Sequence, residues 1–281
     1  MTTSAIPSRD TVVIKPIRGL APLDLKLLWQ FRDLLFAFAD RDIRLRYRQT
    51  VLGVIWVILQ PLLGAGIFSI VFGLIANMPD QGVPYFLITY SGFLGWTLFM
   101  GVVTRVSPSL IAHASLIRKI FFPRLLAPLG VLPSVLLDFL VGLVLMVVLM
   151  AIYRVAPGWG LMVAPVCLLT LLSLSLGIGL VAASLSVKYR DVQHIVPFFI
   201  QLLLYASPVG YSVEAIPEQY RDLYFLLNPL AAPLEAFRWS LIGTGQPHYG
   251  YLAYSFVISG VALLIGTIVF RSVEREFADV I

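Results

Sequence analysis

The sequence predicts an all-α integral membrane protein with six transmembrane helices, an N-terminal amphipathic interface helix and short re-entrant outer helices between spans 5 and 6. Composition is the first observation, because 59% of the 281 residues are hydrophobic and only 12% are charged, against about 25% charged residues in soluble domains. Apolar stretches of membrane-spanning length recur along the chain. Lys and Arg residues flank these stretches on alternate turns, as in multi-pass proteins.

Other function classes fit this composition poorly. The net charge of +5 does not indicate nucleic-acid binding, because the arginines lie beside hydrophobic spans rather than on one basic face. The single cysteine, Cys167, excludes an internal disulfide and a Cys-rich metal site. The first 20 residues have no apolar core, so we expect no signal peptide.

Residues 1–50 are predicted to be a cytoplasmic N-terminus that contains the amphipathic helix, at residues 24–40. Apolar side chains recur on one face of that segment, and charged side chains occupy the other. The apolar face comprises Leu27, Leu28, Phe31, Leu34, Leu35 and Phe38. We expect this helix to lie at the inner membrane interface with its apolar face towards lipid or protein.

Residues 51–272 are predicted to be the transmembrane domain, followed by a cytoplasmic tail at 273–281. The six spans are predicted at about 51–76, 84–111, 125–152, 159–187, 194–211 and 251–270. Sixteen of the 20 Lys and Arg residues fall on one side of these spans and three on the other, with Arg105 inside a span. This asymmetry predicts that both termini are cytoplasmic.

The connections between spans differ in character. Residues 112–124 form a cytoplasmic segment that is helix-compatible up to Phe122 and broken by Pro123. Residues 188–193 form a second short cytoplasmic turn. The outer segment 212–247 is the longest connection, and its part 231–242 has helical spacing with two charged residues. We expect short helices there that re-enter the outer leaflet, shielded by protein.

Catalytic and metal-binding signatures are absent from the sequence. It contains no G-x-x-x-x-G-K-[ST], no H-E-x-x-H and no G-x-S-x-G, and its three histidines are far apart. No metal site is therefore predicted. Arg105 and Asp138 are the ionisable residues at membrane depth. Arg105 either extends to the inner surface or pairs with Asp138, for which a structural anchor between helices is the simpler role.

Aromatic residues on the predicted spans have two interpretations. Core packing and interfacial belts account for most such residues. Alternatively, some line a path along which sugar rings slide, since flat aromatic faces suit the apolar face of a sugar. The candidates for a glycan path are Trp56, Tyr85, Tyr90, Trp96, Phe99 and Tyr205.

Four sequence blocks occur in order and at a characteristic spacing. They are RDIRLRYRQTVLGVIWVILQPLL, LIRKIFFPRLLAPL, LSVKYRDVQHIVPFFIQLLLYASPVGYS and LNPLAAPLEAFRWSLIG. Together they resemble the permease subunit of ABC-2 type exporters, in the branch that exports O-antigen, capsular polysaccharide or teichoic acid. The resemblance covers nearly the whole chain after Leu20.

The resemblance implies a transport subunit without catalysis of its own, in the bacterial cytoplasmic (inner) membrane. Its partners would be a second copy of itself, two copies of a P-loop ATPase subunit, membrane lipids and an undecaprenyl-type lipid-linked glycan, with no nucleic acid. No cofactor is expected in this chain, because ATP and Mg would bind the partner ATPase. A coupling helix at 112–121 would insert into that ATPase, and gate helices at 216–242 would close the path outwards.

The resemblance also assigns individual residues. The interface helix at 24–40 would lie beside the ATPase. ATPase-docking residues would be Leu116, Ile117, Arg118, Lys119, Phe122 and Arg124, with a second cytoplasmic contact at Tyr189, Arg190 and Asp191. Access of the lipid anchor would involve Arg44, Arg46 and Arg48. For the basic residues, positive-inside charge and binding to anionic headgroups remain alternative roles.

Three other functions stay open from the sequence. The first is an integral membrane glycan-processing enzyme, which would need acidic residues or metal ligands clustered at one membrane face. The second is a secondary transporter, which the scarcity of intramembrane charge disfavours. The third is an ABC-2 exporter of teichoic acid or of a smaller substrate, which hydropathy does not distinguish.

Overall fold

The computed structural model describes residues 25–48, 53–79, 82–117, 119–120 and 122–274. Over these ranges the secondary structure is helical, with no strand. Within the described residues, five helical segments are long and apolar enough to cross a membrane: Ile55–Ile75, Tyr85–Val106, Leu126–Tyr153, Trp159–Lys188 and Tyr249–Val273. A further apolar helix, Val192–Ala206, is shorter. The prediction of an all-α, multi-pass membrane protein is confirmed.

The helices follow one another along the chain with short connections. They are α1 (Leu25–Gln30), α2 (Arg32–Arg48), α3 (Gly53–Phe68, continued by a π-helix at Ser69–Ile75), α4 (Tyr85–Val106), α5 (Ser109–Ala112), α6 (Ala114–Ile117), α7 (Leu126–Leu129), α8 (Leu132–Tyr153), α9 (Ala164–Lys188, preceded by a 3₁₀ turn at Trp159–Val163), α10 (Val192–Ala206), α11 (Glu218–Leu227, after a 3₁₀ turn at Val213–Ala215), α12 (Ala231–Ile242) and α13 (Tyr249–Val273).

Helix α4 is the centre of the bundle. In the most apolar stretch of α4, 83% of the residues are buried inside the protein, whereas 11% are buried in the corresponding stretch of the first span, Ile55–Ile75. It contacts α3, α8, α9, α10 and α12. Gly92 also allows a close approach of the segment after α10, because a Cβ there would lie 2.1 Å from the carbonyl oxygen of Val209. A larger residue at this position would displace the segment that follows α10.

Small residues bring α9 close to its two neighbours. Ser175, Gly179 and Ala183 lie at four-residue spacing and are buried, and a Cβ at Gly179 would lie 2.9 Å from Val106 of α4. On another face of α9, Gly177 meets the backbone of α13 at Ala262. Such contacts stabilise helix pairs in a membrane through close packing, where the hydrophobic effect contributes little.

The interface helix differs from its predicted extent. The prediction ended it at residue 40, whereas α2 continues through the basic segment to Arg48, after a break at Phe31 that separates it from α1. Its apolar face packs on protein. Phe38 is buried together with Phe122 and Leu126, and the apolar residues of α1, α2 and α6 surround them. Residues 1–24 and 49–52 lie outside the described part of the chain.

Two other boundaries were predicted incorrectly. Of the coupling helix predicted at 112–121, the described residues are helical at α6, Ala114–Ile117, which follows the separate four-residue helix α5, Ser109–Ala112. The chain then turns to place Phe122 against α2. The fifth predicted span, 194–211, is a helix only to Ala206. Residues 207–212 form an irregular segment whose backbone carbonyls bind side chains of α12.

Candidate functional site

Five polar residues from three helices meet at the end of the bundle that carries α2, which we name the inner end, and we call these residues the inner ionic cluster. They are Asp42 and Arg46 on α2, Arg105 on α4, and Ser134 and Asp138 on α8. Arg46 Nη2 lies 3.0 Å from Asp138 Oδ2, and Arg105 Nη2 pairs with the same oxygen. The cluster therefore links the interface helix to two membrane helices.

Ser134 links Asp42 to Arg105 within the cluster. Its hydroxyl accepts a hydrogen bond from Arg105 Nη1 at 3.2 Å and donates to the Asp42 carboxylate. Two arginines and two aspartates balance in formal charge, as partly buried ions require. The side chains of Asp138, Arg105 and Arg46 are 13%, 21% and 36% exposed. The cluster is thus most enclosed at Asp138.

Of the two alternatives for Arg105, the structure contains the pairing with Asp138. The participation of Arg46 was missed, although a signal was present in the sequence. Asp42 and Arg46 are four residues apart on α2, and Ser134 and Asp138 are four residues apart on α8. Each pair therefore lies on one face of its helix, and two such polar pairs are able to face each other.

A partly enclosed cavity of about 180 Å³ lies beside the inner ionic cluster. It is formed by α3, α4 and α8, with Arg46 of α2 at its edge. Its polar lining residues are Arg46, Gln60, Thr97, Thr104, Arg105 and Asp138. The ion pairs are consequently next to space into which their side chains are able to move.

The predicted ATPase-docking residues occupy different environments. Phe122 is 4% exposed, and its ring lies edge-on to Phe38 with the centroids 5.6 Å apart. This corrects its assignment as a surface contact. Leu116 and Ile117 also pack against this apolar cluster. Lys119 is exposed, whereas Arg118 lies outside the described residues.

Arg124 joins the segment between α6 and α7 to the last helix. Its Nη1 donates to the backbone carbonyl of Glu274, immediately after α13. The segment between α6 and α7 is therefore held on one side by α2 and on the other by the end of α13. At the second predicted contact, Tyr189 is 55% exposed, and Arg190 and Asp191 are also exposed.

Arg44 and Arg46, two of the three arginines predicted to guide a lipid anchor, bind different carboxylates. Arg44 Nε lies 2.7 Å from Asp40 Oδ2, one helical turn away, and the hydrogen bond to that carboxylate raises the pKa of the Arg44 guanidinium. Arg46 turns instead towards Asp138. The side chain of Arg48 lies outside the described part of the structure.

Half of the predicted glycan-path aromatics are core residues. Tyr90, Trp96 and Phe99 are at most 2% exposed, and the Tyr90 hydroxyl donates to the Gly142 carbonyl at 3.0 Å. Their burial inside one protomer corrects the prediction that these rings line a path. Periodicity does not distinguish rings that face protein from rings that face lipid or a path, because no single face of α4 is marked by polar residues.

The other three path candidates lie nearer the surface. Trp56 and Tyr205 are 53% and 60% exposed, and the ring of Tyr205 stacks on Phe68 at 6.1 Å. Tyr85 is half-buried and donates to the Gly210 carbonyl at 2.8 Å. These three residues belong to α3, α10 and the start of α4, which therefore remain the candidate surface for a path.

At the opposite end of the bundle, α12 carries two buried charges. Arg238 is 2% exposed and Glu235 is 3% exposed. Arg238 Nη1 donates to the Tyr211 carbonyl at 3.0 Å, and its Nη2 donates to the Pro208 carbonyl. Glu235 Oε1 accepts hydrogen bonds from Ser212 Oγ at 2.9 Å and the Val213 amide at 3.2 Å. Both charges thus bind the segment that follows α10.

The end of α10 is held by two further side chains. Asn228 Nδ2 donates to the Ala206 carbonyl at 3.0 Å and to Ser207 Oγ at 3.1 Å. The Tyr224 hydroxyl donates to the same carbonyl at 2.9 Å. We call Tyr224, Asn228, Glu235 and Arg238 the outer clamp. The prediction named the charges in this segment without their partners, because hydrogen bonds to distant carbonyls leave no pattern in the sequence.

The described residues contain no group of three or more His, Cys, Asp and Glu side chains that could hold a metal ion.

The profile of the ABC-2 type transporter family matches residues 33–242. The chain belongs to the ABC-2 type transporter family. That match begins within α2 and ends at the last residue of α12, so it includes both the inner ionic cluster and the outer clamp.

Individual relatives of this ABC-2 chain cover nearly its whole length. It is 28% identical over 253 residues to the O-antigen export system permease protein RfbA of Klebsiella pneumoniae, covering 89% of this chain and 95% of that protein. It is 29% identical to the RfbA of Myxococcus xanthus, covering 90% and 96%. It is also 27% identical to the polysialic acid transport protein KpsM of Escherichia coli, covering 84% and 91%.

Proposed function

We propose that this protein is the permease subunit of an ATP-driven ABC transporter that exports a lipid-linked polysaccharide, of O-antigen or capsule type, across the bacterial cytoplasmic (inner) membrane. The observation that carries this proposal is the similarity to O-antigen and polysialic acid transport proteins over at least 84% of the chain. The distribution of Lys and Arg residues supports cytoplasmic termini.

The pore requires a second copy of the chain in this proposal. Large apolar residues are exposed along α3 and α10, and lipid or a second protomer must cover them. They include Trp56, Leu63, Ile67, Phe198, Phe199, Leu202 and Tyr205, each at least half exposed. A homodimer joined near α3 and α10 would place the exposed aromatic rings beside a path between the protomers.

ATP hydrolysis would take place in a separate subunit, since the chain carries no P-loop. The exposed cytoplasmic residues Lys119, Tyr189, Arg190 and Asp191 are the proposed docking surface. Phe122 would lie beneath this surface and connect the segment between α6 and α7 to α2, because its ring packs against Phe38. If the ATPase displaced that segment, the contact would transmit the displacement to α2.

The inner ionic cluster would carry that movement into the membrane. Arg46 moves with α2, and its partner Asp138 lies on α8 beside Arg105 of α4. A shift of α2 that changes the Arg46–Asp138 contact would alter the balance of charge between α4 and α8. Ion pairs beside a cavity have more than one possible arrangement, as a two-state element needs.

The outer helices would form the gate of this permease. Helix α12 packs against α4 and α9, and we propose that α11 and α12 re-enter the outer leaflet. Helix α10 would be the sixth span. Its 15 residues are about 22 Å long, which is less than the roughly 30 Å hydrocarbon thickness, and residues 207–212 would complete the crossing under the cover of α12.

Co-purification with its ATPase tests this proposal. The tagged chain is purified from its native membrane in mild detergent, and the proteins encoded beside it are identified by mass spectrometry. We expect a P-loop ATPase in equal molar amount, and fewer ATPase copies with Tyr189→Ala or Lys119→Glu than with the control Trp159→Ala on the opposite side. A folded chain that repeatedly purifies without any ATPase would contradict the proposal.

A further inference from the structure

Glu235 and Arg238 of the outer clamp each keep one buried atom that makes no hydrogen bond. Arg238 binds carbonyls through its two terminal nitrogens, and Glu235 accepts hydrogen bonds through Oε1. In the part of the chain that the structure describes, Arg238 Nε and Glu235 Oε2 have no partner, and both atoms are closed to solvent. Because buried polar atoms are normally satisfied, a donor and an acceptor of opposite charge are left unused side by side on α12.

The spacing of the two residues allows them to pair with each other. They are three positions apart on α12, so their side chains share one face of the helix. The same spacing occurs on α11, where Arg221 Nη1 lies 3.9 Å from Glu218 Oε1. An ion pair within α12 is therefore an alternative to the carbonyl contacts of Arg238. Hydrogen bonds are directional, so a guanidinium turned to present Nε to Glu235 loses its alignment with the two carbonyls.

Space for this rotation lies beside the clamp. A partly enclosed cavity of about 300 Å³ is bordered by Arg238 and by Ser212 and Tyr85. The Arg238 side chain is thus able to change its rotamer while α12 keeps its packing against α4 and α9.

The carbonyls that Arg238 binds lie at the two ends of residues 208–211. This stretch contacts two membrane helices. A Cβ at Gly210 would lie 2.1 Å from the Phe68 ring of α3, and Val209 packs in the same way on α4. A change in the hold of Arg238 on this stretch would therefore reach α3, part of the candidate surface for a path.

Other contacts hold the regions on either side of this stretch. Asn228 and Tyr224 bind the end of α10, and Glu235 Oε1 binds residues 212–213. The Tyr85 hydroxyl donates to the Gly210 carbonyl at 2.8 Å. Loss of the Arg238 contacts would consequently loosen residues 208–211 locally, while their two ends stay attached to the rest of the clamp.

We propose that Arg238 is a two-position switch. In one position it binds the carbonyls of Pro208 and Tyr211, and in the other it pairs through Nε with Glu235 Oε2 and releases residues 208–211. The first position gives the buried guanidinium two neutral acceptors, and the second gives it an opposite charge. Two such discrete arrangements are what a bistable element requires. The switch is a property of the single chain and depends on neither the ATPase nor the glycan.

Thiol labelling of the full chain in lipid nanodiscs tests the switch. Val209 is fully buried, so a water-soluble maleimide should reach Val209→Cys only when residues 208–211 are released. The native Cys167, buried in α9, reports opening of the whole bundle in the same sample. Glu235→Gln keeps an oxygen for Ser212 and Val213 but removes the charge that favours release. We expect it to slow labelling at position 209 about tenfold and to leave Cys167 unlabelled.

Glu218→Gln is the matched control, because it removes an acid at the same spacing from an arginine on α11, and it should not change the labelling rate. A Glu235 that only strengthened the clamp would give the opposite sign, with faster labelling in Glu235→Gln. Equal or faster labelling in that variant would therefore overturn the switch. Labelling of Val209→Cys no faster than that of Cys167 would overturn it as well.

Arg238→Lys gives a second test that does not require Glu235→Gln to fold. A lysine ammonium lacks the fork that spans both carbonyls, yet it is able to pair with Glu235. We expect labelling of Val209→Cys to become about tenfold faster while Cys167 stays unlabelled, and Glu235→Gln added to Arg238→Lys should slow it again. An unchanged rate in Arg238→Lys would contradict the switch and would leave the proposed function standing.

Discussion

The inner ionic cluster and the outer clamp both use arginine and acidic side chains, but they bind different kinds of partner. In the inner cluster, Arg46 and Arg105 share the carboxylate of Asp138, and all three side chains keep some exposure. In the outer clamp, Arg238 is almost fully buried and binds backbone carbonyls of the segment after α10. Side-chain ion pairs can exchange partners, whereas a guanidinium bound to carbonyls fixes one backbone conformation.

This difference assigns the two ends of the bundle different parts in transport. The inner cluster lies between elements that must move relative to one another if α2 transmits a push to α4 and α8. The outer clamp makes residues 207–212 and α12 into one unit, so these parts would open or close together. The three changes below test this division, beginning with the largest expected effect.

Loss of Arg238 should have the largest effect. Arg238→Met removes two hydrogen bonds to carbonyls and leaves Glu235 buried without the neighbouring positive charge, so we expect a loss of about 3–5 kcal/mol in the free energy of unfolding. Thermal unfolding in nanodiscs measures the loss, with the exposed Arg190→Met as the control. Adding Glu235→Met should recover part of the stability, because the second buried charge is then also absent. A single variant as stable as the control would contradict the clamp.

Loss of Asp138 should have an intermediate effect. Asp138→Asn leaves Arg46 and Arg105 close to each other without their shared carboxylate. Because these side chains are partly exposed, we expect a loss of about 1–3 kcal/mol, below the range for fully buried pairs. Asp191→Asn, at an exposed turn, should change stability by less than about 0.5 kcal/mol. Thermal unfolding of both variants in the same nanodiscs provides the comparison. Equal stabilities would show that the Asp138 carboxylate does not stabilise the fold through the cluster.

Of the three changes, loss of Arg46 should have the smallest effect on the free energy of unfolding and the largest effect on the amount of glycan exported per ATP hydrolysed. The Arg46 side chain is 36% exposed, so Arg46→Gln is expected to cost less than about 1 kcal/mol. The variant should still bind the ATPase, yet export less glycan per ATP hydrolysed, because α2 has lost its contact with Asp138. Arg44→Gln, whose ion pair stays within α2, is the matched control. An unchanged ratio of glycan to ATP in Arg46→Gln would show that the contact does not transmit movement.

The sequence predicted the architecture well, because hydropathy and charge act on single segments. Span positions follow from length and apolarity, and the amphipathic face of α2 was recognised together with Phe38, which the structure buries. The Arg105–Asp138 pairing was one of the two alternatives left open for Arg105, since few partners exist for an ion at that depth. Each of these predictions needed only properties local to one helix, or the scarcity of charge in the membrane.

Predictions of which side chains face outwards from the protein were less successful. Tyr90, Trp96 and Phe99 lie on a helix surrounded by protein, where no polar face marks an exposed side. The resemblance assigned Phe122 to the ATPase contact, yet its ring packs against Phe38 inside the protein. The outer clamp depends on carbonyls of an irregular segment, and the sequence contains no periodic signal for such contacts.

The most direct test of the account is ATP-driven export in proteoliposomes that contain the purified chain and its ATPase. A lipid-linked glycan is supplied on the ATPase side, and its arrival on the other side is followed by protection from an external glycosidase. The account predicts transport with ATP, none with a non-hydrolysable analogue, and reduced glycan transport per ATP for Arg46→Gln. ATP hydrolysis by an assembled complex without movement of any lipid-linked glycan would contradict it.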